Sequence, residues 1–220
     1  MKKRNPPAPR ELFGPLRPVS SATTSLRERP DGCFEATIAH APLPGVTPEM
    51  IVWLLQNMDR ELEFRGQRML AYLWWHPLDH VHFEVLKRRP DGTVGAGCRF
   101  HIQELFGRDE RYRVHEVVDV PRLDIGGLTL QQQALGQVIF RLEHTFTAVN
   151  DGTQYHSRMV VGTATWWLKA VANIVRRRKF PEHKQQRWLQ HNVEEVGHLE
   201  HFLPELYQQY HQGAAQGEVQ

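Results

Sequence analysis

Between Met69 and Gly162 the sequence alternates apolar and polar residues, and the alternation is broken by two turn-forming stretches, RRPDGTVG at 88–95 and VNDGTQY at 149–155. Alternation buries one face of a strand, and Asp-Gly turns bring the chain back beside itself, so this stretch reads as an antiparallel sheet of about six strands. The strand-like CFEATIAH precedes it, followed by LPGVTPEMIVWLLQNM. In the latter, Thr47 suits a helix N-cap, Pro48 the first helical position and Glu49 the positive helix end, which predicts a helix to about Met58. After the sheet, Thr165 to Arg178 can be helical, and PEHKQQRWLQHNVEEVGHLEHF reads as a long helix with Pro181 at its start and Pro204 closing it. Strands grouped apart from helices make an α+β protein.

The 220 residues suit a single domain. Six prolines within residues 1–30 predict an extended N-terminal arm, residues 31–212 form the domain, and 213–220 read as a disordered tail. Twenty-seven Lys and Arg against 25 Asp and Glu give a net charge of +2, too balanced for a dedicated nucleic-acid binder. MKKR lies in the arm, and RRRK at 176–179 ends a helix, where cations offset the dipole, so neither run points to nucleic acid or membrane. Two cysteines, Cys33 and Cys98, make no disulfide framework, and neither a signal peptide nor an apolar run of about 18 residues is present, so a cytoplasmic location is expected.

The last long helix carries the chemistry. At about 100° per residue, Trp188, Leu189, Val193, Val196, Leu199 and Phe202 fall on one arc. Glu195 lies inside that arc, His191 sits at its edge one turn earlier, and Glu194 points the other way. A carboxylate on a buried face is costly unless it is paired or bound to a cation, and a His and Glu four residues apart can share a metal. Spacing alone decides little. His80 with Glu84 and His201 with Glu205 repeat it in a chain of 13 histidines and 17 glutamates. In GCRFHIQELFG, however, Glu104 shares a strand face with Phe100 and Ile102. His144 interrupts an apolar stripe from Val138 to Ala148, and Tyr155 shares a face with Met159 and Val161. Two carboxylates, a histidine and a tyrosine pointing inward imply a lined site between sheet and helix.

The segments GVTPEMIVWLL, WWHPLDHVHF, RFHIQELFG and HNVEEVGHLEHFLPELY together resemble the diacetylphloroglucinol hydrolase family, which includes phloretin hydrolase, over roughly residues 43 to 207. The resemblance implies a helix-grip fold similar to the START and Bet v 1-like proteins. It also implies one zinc ion on two His and two Glu, hydrolysis of the carbon-carbon bond between an acyl group and a polyhydroxylated aromatic ring, and a homodimer. Within these motifs the zinc ligands would be His80, Glu104, His191 and Glu195. The assignment of His80 rests on the resemblance alone, because His80 shares strand parity with His82 and Glu84 while Val81, Phe83 and Val85 form the apolar side. The catalytic-site histidine would be His144, and Tyr72 and Tyr155 would hold the phenol. An asparagine expected shortly after the first ligand histidine has no counterpart, the stretch reading HVHFE. The partner expected is a small phenolic ketone.

Two other classes compete. A non-catalytic helix-grip protein binding a small apolar or phenolic ligand would keep the fold without needing the four ligands. A di-iron carboxylate protein could use Glu195 and His198, but it requires a four-helix bundle, which the hairpin-rich middle of the chain excludes.

Overall fold

The computed structural model describes residues 2–217. A short edge strand β1 (Thr23–Glu28) pairs with β2 (Phe34–Ala39), and β3 (Leu43–Pro44) leads into helix α1 (Pro48–Asn57). Thr47 caps α1 as its sequence predicts, accepting a hydrogen bond from the Met50 amide. A hairpin of β4 (Glu61–Phe64) and β5 (Gln67–Leu70) follows, then the one-turn helix α2 (Ala71–Trp75). The six main strands are β6 (His80–Lys87), β7 (Arg99–Leu105), β8 (Arg113–Asp124), β9 (Gly127–Ala134), β10 (Gln137–Val149) and β11 (Gly152–Val161). Three helices complete the chain: α3 (Trp166–Lys179), α4 (Glu182–His198) and α5 (Leu203–Gly217).

The large sheet is antiparallel, ordered β1-β2-β11-β10-β9-β8-β7-β6, with β3 added beside β11. Asn150 and Asp151 form the two-residue turn between β10 and β11 that the Asp-Gly signal predicts, since Val149 pairs with Gly152. Gly152 sits at φ +145, and a Cβ there would lie 1.9 Å from the Leu43 carbonyl oxygen, so the close approach of β3 requires glycine. Helix α4 lies in the grip of this sheet. Trp188, Leu189 and Val193 pack with Phe34, Ile38 and Met159 in one apolar cluster. Val196, Leu199 and Phe202 pack with Phe100, Leu128, Phe146 and Tyr155 in another. His191 and Glu195 sit on the buried arc between these two groups, as helical phase predicts. The result is the α+β helix-grip architecture.

Three boundaries differ from the sequence reading. The arm ends earlier than residue 30, because Thr23–Glu28 already forms the sheet edge. The rest of the arm is packed on the body. Phe13 stacks on His198 and touches Phe64, Trp74 and Phe202, while the Arg17 side chain lies over Gly197, where a Cβ would meet it at 2.5 Å. Second, Pro204 does not close the last helix. A 3₁₀ turn over Leu199–His201 and a non-helical Phe202 at φ -139 break the helix first, and Pro204 falls in the opening turn of α5, where its missing N–H costs nothing. Third, α5 continues the backbone helically to Gly217, so the tail expected from 213 begins as helix, and its last three residues lie outside the described residues.

Helix α3 presents Trp166, Trp167, Val171 and Ile174 to the exterior. Cys33 and Cys98 are free and buried. No described helix is long and apolar enough to cross a membrane.

Candidate metal centre

Four side chains from three elements converge on one point. His80 opens β6, Glu104 lies on β7, and His191 with Glu195 occupy successive turns of α4. The strand parity that leaves His80 on the wrong face in the sequence is reset by a β-bulge. The register shifts between His80 and His82, so His80 stands opposite Glu104, whereas His82 stands opposite Gln103. The same backbone thus sends His80 inward and His82 outward.

The ligand atoms of His80, His191 and Glu195 cluster within 4.8 Å of one another, and Glu104 offers a different oxygen to each imidazole. His80 Nε2 lies 3.4 Å from Glu195 Oε2 and 3.8 Å from Glu104 Oε1. His191 Nε2 lies 3.7 Å from Glu195 Oε2 and 3.8 Å from Glu104 Oε2. A tetrahedral zinc with bonds of about 2.0–2.2 Å holds its ligands about 3.3–3.6 Å apart. His80 Nε2 and His191 Nε2 are both buried without a hydrogen-bond partner. Two orphaned imidazole nitrogens facing two carboxylates are the pattern left when a shared cation is taken out of consideration, so the residues fit a metal.

Each ligand is held from behind. His80 Nδ1 donates to the Tyr72 carbonyl at 2.7 Å, and His191 Nδ1 donates to Asp79 Oδ2 at 3.0 Å, which turns both Nε2 lone pairs to the centre. Tyr72 Oη donates to Glu104 Oε1 at 2.6 Å, and Asn192 Nδ2 donates to Glu195 Oε1 at 2.5 Å. The Tyr72 ring stacks on His80 with centroids 3.8 Å apart. Tyr72 is therefore bonded to a candidate ligand rather than presenting a free hydroxyl. Asp79 and Asn192 escape sequence reasoning, although Asp79 stands in the HPLDH stretch one residue before His80 and Asn192 one residue after His191.

Electrostatics follow from this crowding. Burial presses His191 towards the neutral form, but Glu195, the bond to Asp79 and Glu104 together hold its imidazolium up to about 9. Burial drives His80 well below the usual histidine range and raises Glu195 against the pull of His191. Burial also raises Asp79, yet His191 and His76 outweigh it and keep that carboxyl well down. The carboxylates of Glu104, Glu195 and Asp79 thus crowd the imidazoles of His80, His191 and His76 in one buried site. Glu194, expected to face solvent, is half-buried instead: it lies 3.3 Å from His76 Nε2 and accepts from Gln190 at 2.8 Å. His76 itself stacks on His191.

Beside the centre, His144 and Tyr155 come together on neighbouring strands, ring centroids 5.4 Å apart. Tyr155 is fully buried, its hydroxyl has no partner, and burial followed by the charge of Glu195 raises it well above 10. The Ser157 hydroxyl stands between His144 Nδ1, at 3.0 Å, and His40 Nε2, at 3.1 Å. Burial lowers both His40 and His144 to about 3, so both are neutral near pH 7. A cleft of about 560 Å³ along β1, β2, β11 and β10 is bordered by Ile38, His144 and Ser157.

Residues 123–208 match the family model for the DAPG hydrolase PhiG domain. That span holds His144, Tyr155, His191 and Glu195, while Tyr72, His80 and Glu104 lie before it and reach the same point through the fold. No curated protein matches the chain. Among solved structures, Ara h 8.0201 is similar at 12% identity with a TM-score of 0.45, over 78% of this chain and 96% of that one. Protein Ms6760 from Mycobacterium smegmatis is similar at 12% identity and TM-score 0.45, over 80% and 96%. A START superfamily protein from the same organism gives 12% identity and TM-score 0.39, over 74% and 98%.

Proposed function

We propose that this protein is a zinc-dependent hydrolase of the DAPG hydrolase family that cleaves the carbon-carbon bond between an acyl group and a polyhydroxylated aromatic ring. The observation that carries the reading is the pair of orphaned Nε2 atoms of His80 and His191, set 3.4–3.8 Å from the carboxylates of Glu104 and Glu195. Zinc bound by these four residues supplies a Lewis acid for an acyl carbonyl and activates water near neutral pH.

The remaining steps belong to side chains. His144, kept neutral by burial, accepts the proton of the attacking water and returns it to the ring carbon as the acyl carbon leaves. The acyl carbon gains hydroxyl and departs as a carboxylic acid, and the ring carbon gains hydrogen. One hydroxyl proton on Ser157 serves two imidazoles. When His144 Nδ1–H donates to the Ser157 oxygen, Nε2 keeps a free lone pair for the incoming proton, and the Ser157 hydroxyl donates to His40 Nε2. Tyr155 is the free donor for a ring oxygen that becomes phenolate. Tyr72 steadies Glu104, the more exposed of the two carboxylates and hence the ligand with room to shift.

The same reading includes a homodimer, supported by the apolar stripe of Trp167, Val171 and Ile174 on α3, and a cytoplasmic location. The experiment is incubation of zinc-loaded protein with a series of acylphloroglucinols and dihydrochalcones, with detection of the released acid. Acid release that disappears in Glu195→Gln supports the hydrolase. Tight binding of the same compounds with no acid formed, on a protein purified without stoichiometric zinc, identifies a non-catalytic ligand carrier instead.

A further inference from the structure

The bulge that turns His80 inward leaves a second group of ligating side chains on the opposite face of the sheet. There Glu84 of β6 stands against His101 of β7, His82 against Gln103, and Gln103 in turn against His115 of β8. Glu84 Oε2 lies 3.7 Å from His82 Nε2 and 3.6 Å from His101 Nδ1. Ligand atoms of these three residues fall within 4.8 Å of one another. His101 is only 2% exposed, yet its Nδ1, aimed at Glu84, has no hydrogen-bond partner. The His82 and His115 rings flank it at 5.5 and 4.9 Å. An exposed carboxylate alone would signify nothing here; a buried imidazole nitrogen left unpaired beside two further ligands does.

We propose that His82, Glu84 and His101 form a second divalent-metal site, independent of the first and open on its solvent side at Glu84. Two imidazoles and one carboxylate suit Zn²⁺, Ni²⁺ or Cu²⁺, whereas Mg²⁺ and Ca²⁺ prefer oxygen alone. The site is linked to the N-terminal arm through Gln103. Its Oε1 accepts from the Arg4 amide at 2.8 Å, and its Nε2 donates to the Lys2 carbonyl at 3.1 Å and to His101 Nε2 at 3.2 Å. With the arm docked, therefore, His101 Nε2 is an acceptor and its ring proton sits on Nδ1. A metal on Nδ1 moves that proton to Nε2, where it faces the Gln103 amide nitrogen. Gln103 must then turn its amide over, which sets like groups against Lys2 and Arg4. Metal binding frees Lys2 and the Arg4 amide from Gln103 at a cost of two ordinary hydrogen bonds, leaving the Lys3–Glu110 ion pair and the Arg113 bond to the Arg4 carbonyl in place. It also relieves the repulsion between a bound cation and Arg4, which lies beside His82.

Zinc-loaded protein freed of excess metal is titrated with Ni²⁺ by calorimetry, with total zinc measured and amide exchange followed at Arg4. One further equivalent should bind, exchange at Arg4 should accelerate, and zinc at the first site should stay constant. Glu84→Gln and His82→Ala should each abolish the extra equivalent; neither residue is a core group, so folding is preserved. No uptake in the wild type, or an extra equivalent that persists in both variants, overturns the second site. Uptake with unchanged exchange at Arg4 overturns its link to the arm. Metal uptake here is read apart from acid release, so failure of this site leaves the hydrolase reading to stand or fall on its own test.

Discussion

Asp79 offers a demanding test of the proposed metal centre, because it would act on a metal held by His80, Glu104, His191 and Glu195 only through His191. Its Oδ2 accepts from His191 Nδ1 at 3.0 Å and from the Gly107 amide at 3.0 Å. In Asp79→Asn the side-chain oxygen can still accept both bonds, so only the negative charge behind the imidazole is lost. In Asp79→Ala both bonds go and the His191 ring is free to turn. Partners of this kind contribute about 10–100-fold to metal affinity. The Asn variant should fall near the tenfold end, about 1.4 kcal/mol, and the Ala variant near the hundredfold end, about 2.7 kcal/mol. Competition with a chromophoric zinc chelator measures both. Wild-type affinity in Asp79→Ala, or a greater loss in Asn than in Ala, would refute the reasoning that His191 is a ligand oriented through Nδ1.

Glu195→Gln should abolish zinc retention, whereas Glu194→Gln, which touches His76 but no ligand atom, should cost at most a few-fold in affinity; equal losses by elemental analysis would contradict the helical-phase assignment. His144→Ala should keep its zinc and lose on the order of 10²–10⁴ in turnover, and Ser157→Ala should keep zinc and lose turnover through the misplaced tautomer, with single-turnover rates as the readout. Tyr155→Phe should cost roughly 1.5–3 kcal/mol, in turnover more than in binding, if the ring oxygen is charged in the transition state. The imidazolium of His191, held up to about 9, must give up its proton to a metal, so zinc affinity should rise with pH from about 6.5 towards 9, by up to one decade per unit. The same group stabilises the metal-free fold below 6.5 and loses that stability as pH climbs through 9, so metal-free melting should fall over the window in which affinity rises. Affinity independent of pH between 7 and 8.5 would contradict both statements. Trp167→Glu should shift a dimer towards monomer in sedimentation velocity.

Much of this was legible in the chain. Helical phase placed Glu195 on the buried arc of α4, and alternation placed Glu104, His144 and Tyr155 on the inner face of the sheet, because regular helices and strands keep their periods of 3.6 and 2. Irregular backbone hid the rest. No period predicts the bulge between His80 and His82, and parity read without it sends His80 to the wrong side. Tyr72 lies in a single helical turn, too short for a pattern to separate it from Trp74. The outer face of β7 reads as polar and solvated, yet His101 and Gln103 are buried there because residues 2–4 of the arm lie across them, a contact about a hundred residues distant in sequence. Glu194 departs from its helical phase for a related reason: His76, just after α2, comes across to meet it.

Anomalous scattering recorded on both sides of the zinc absorption edge, from crystals grown without added metal, tests the central assignment most directly. A zinc peak should lie about 2.0–2.2 Å from Nε2 of His80 and His191 and from one carboxylate oxygen each of Glu104 and Glu195. Absence of any peak among these four residues, or a single zinc found only elsewhere in the molecule, would contradict it.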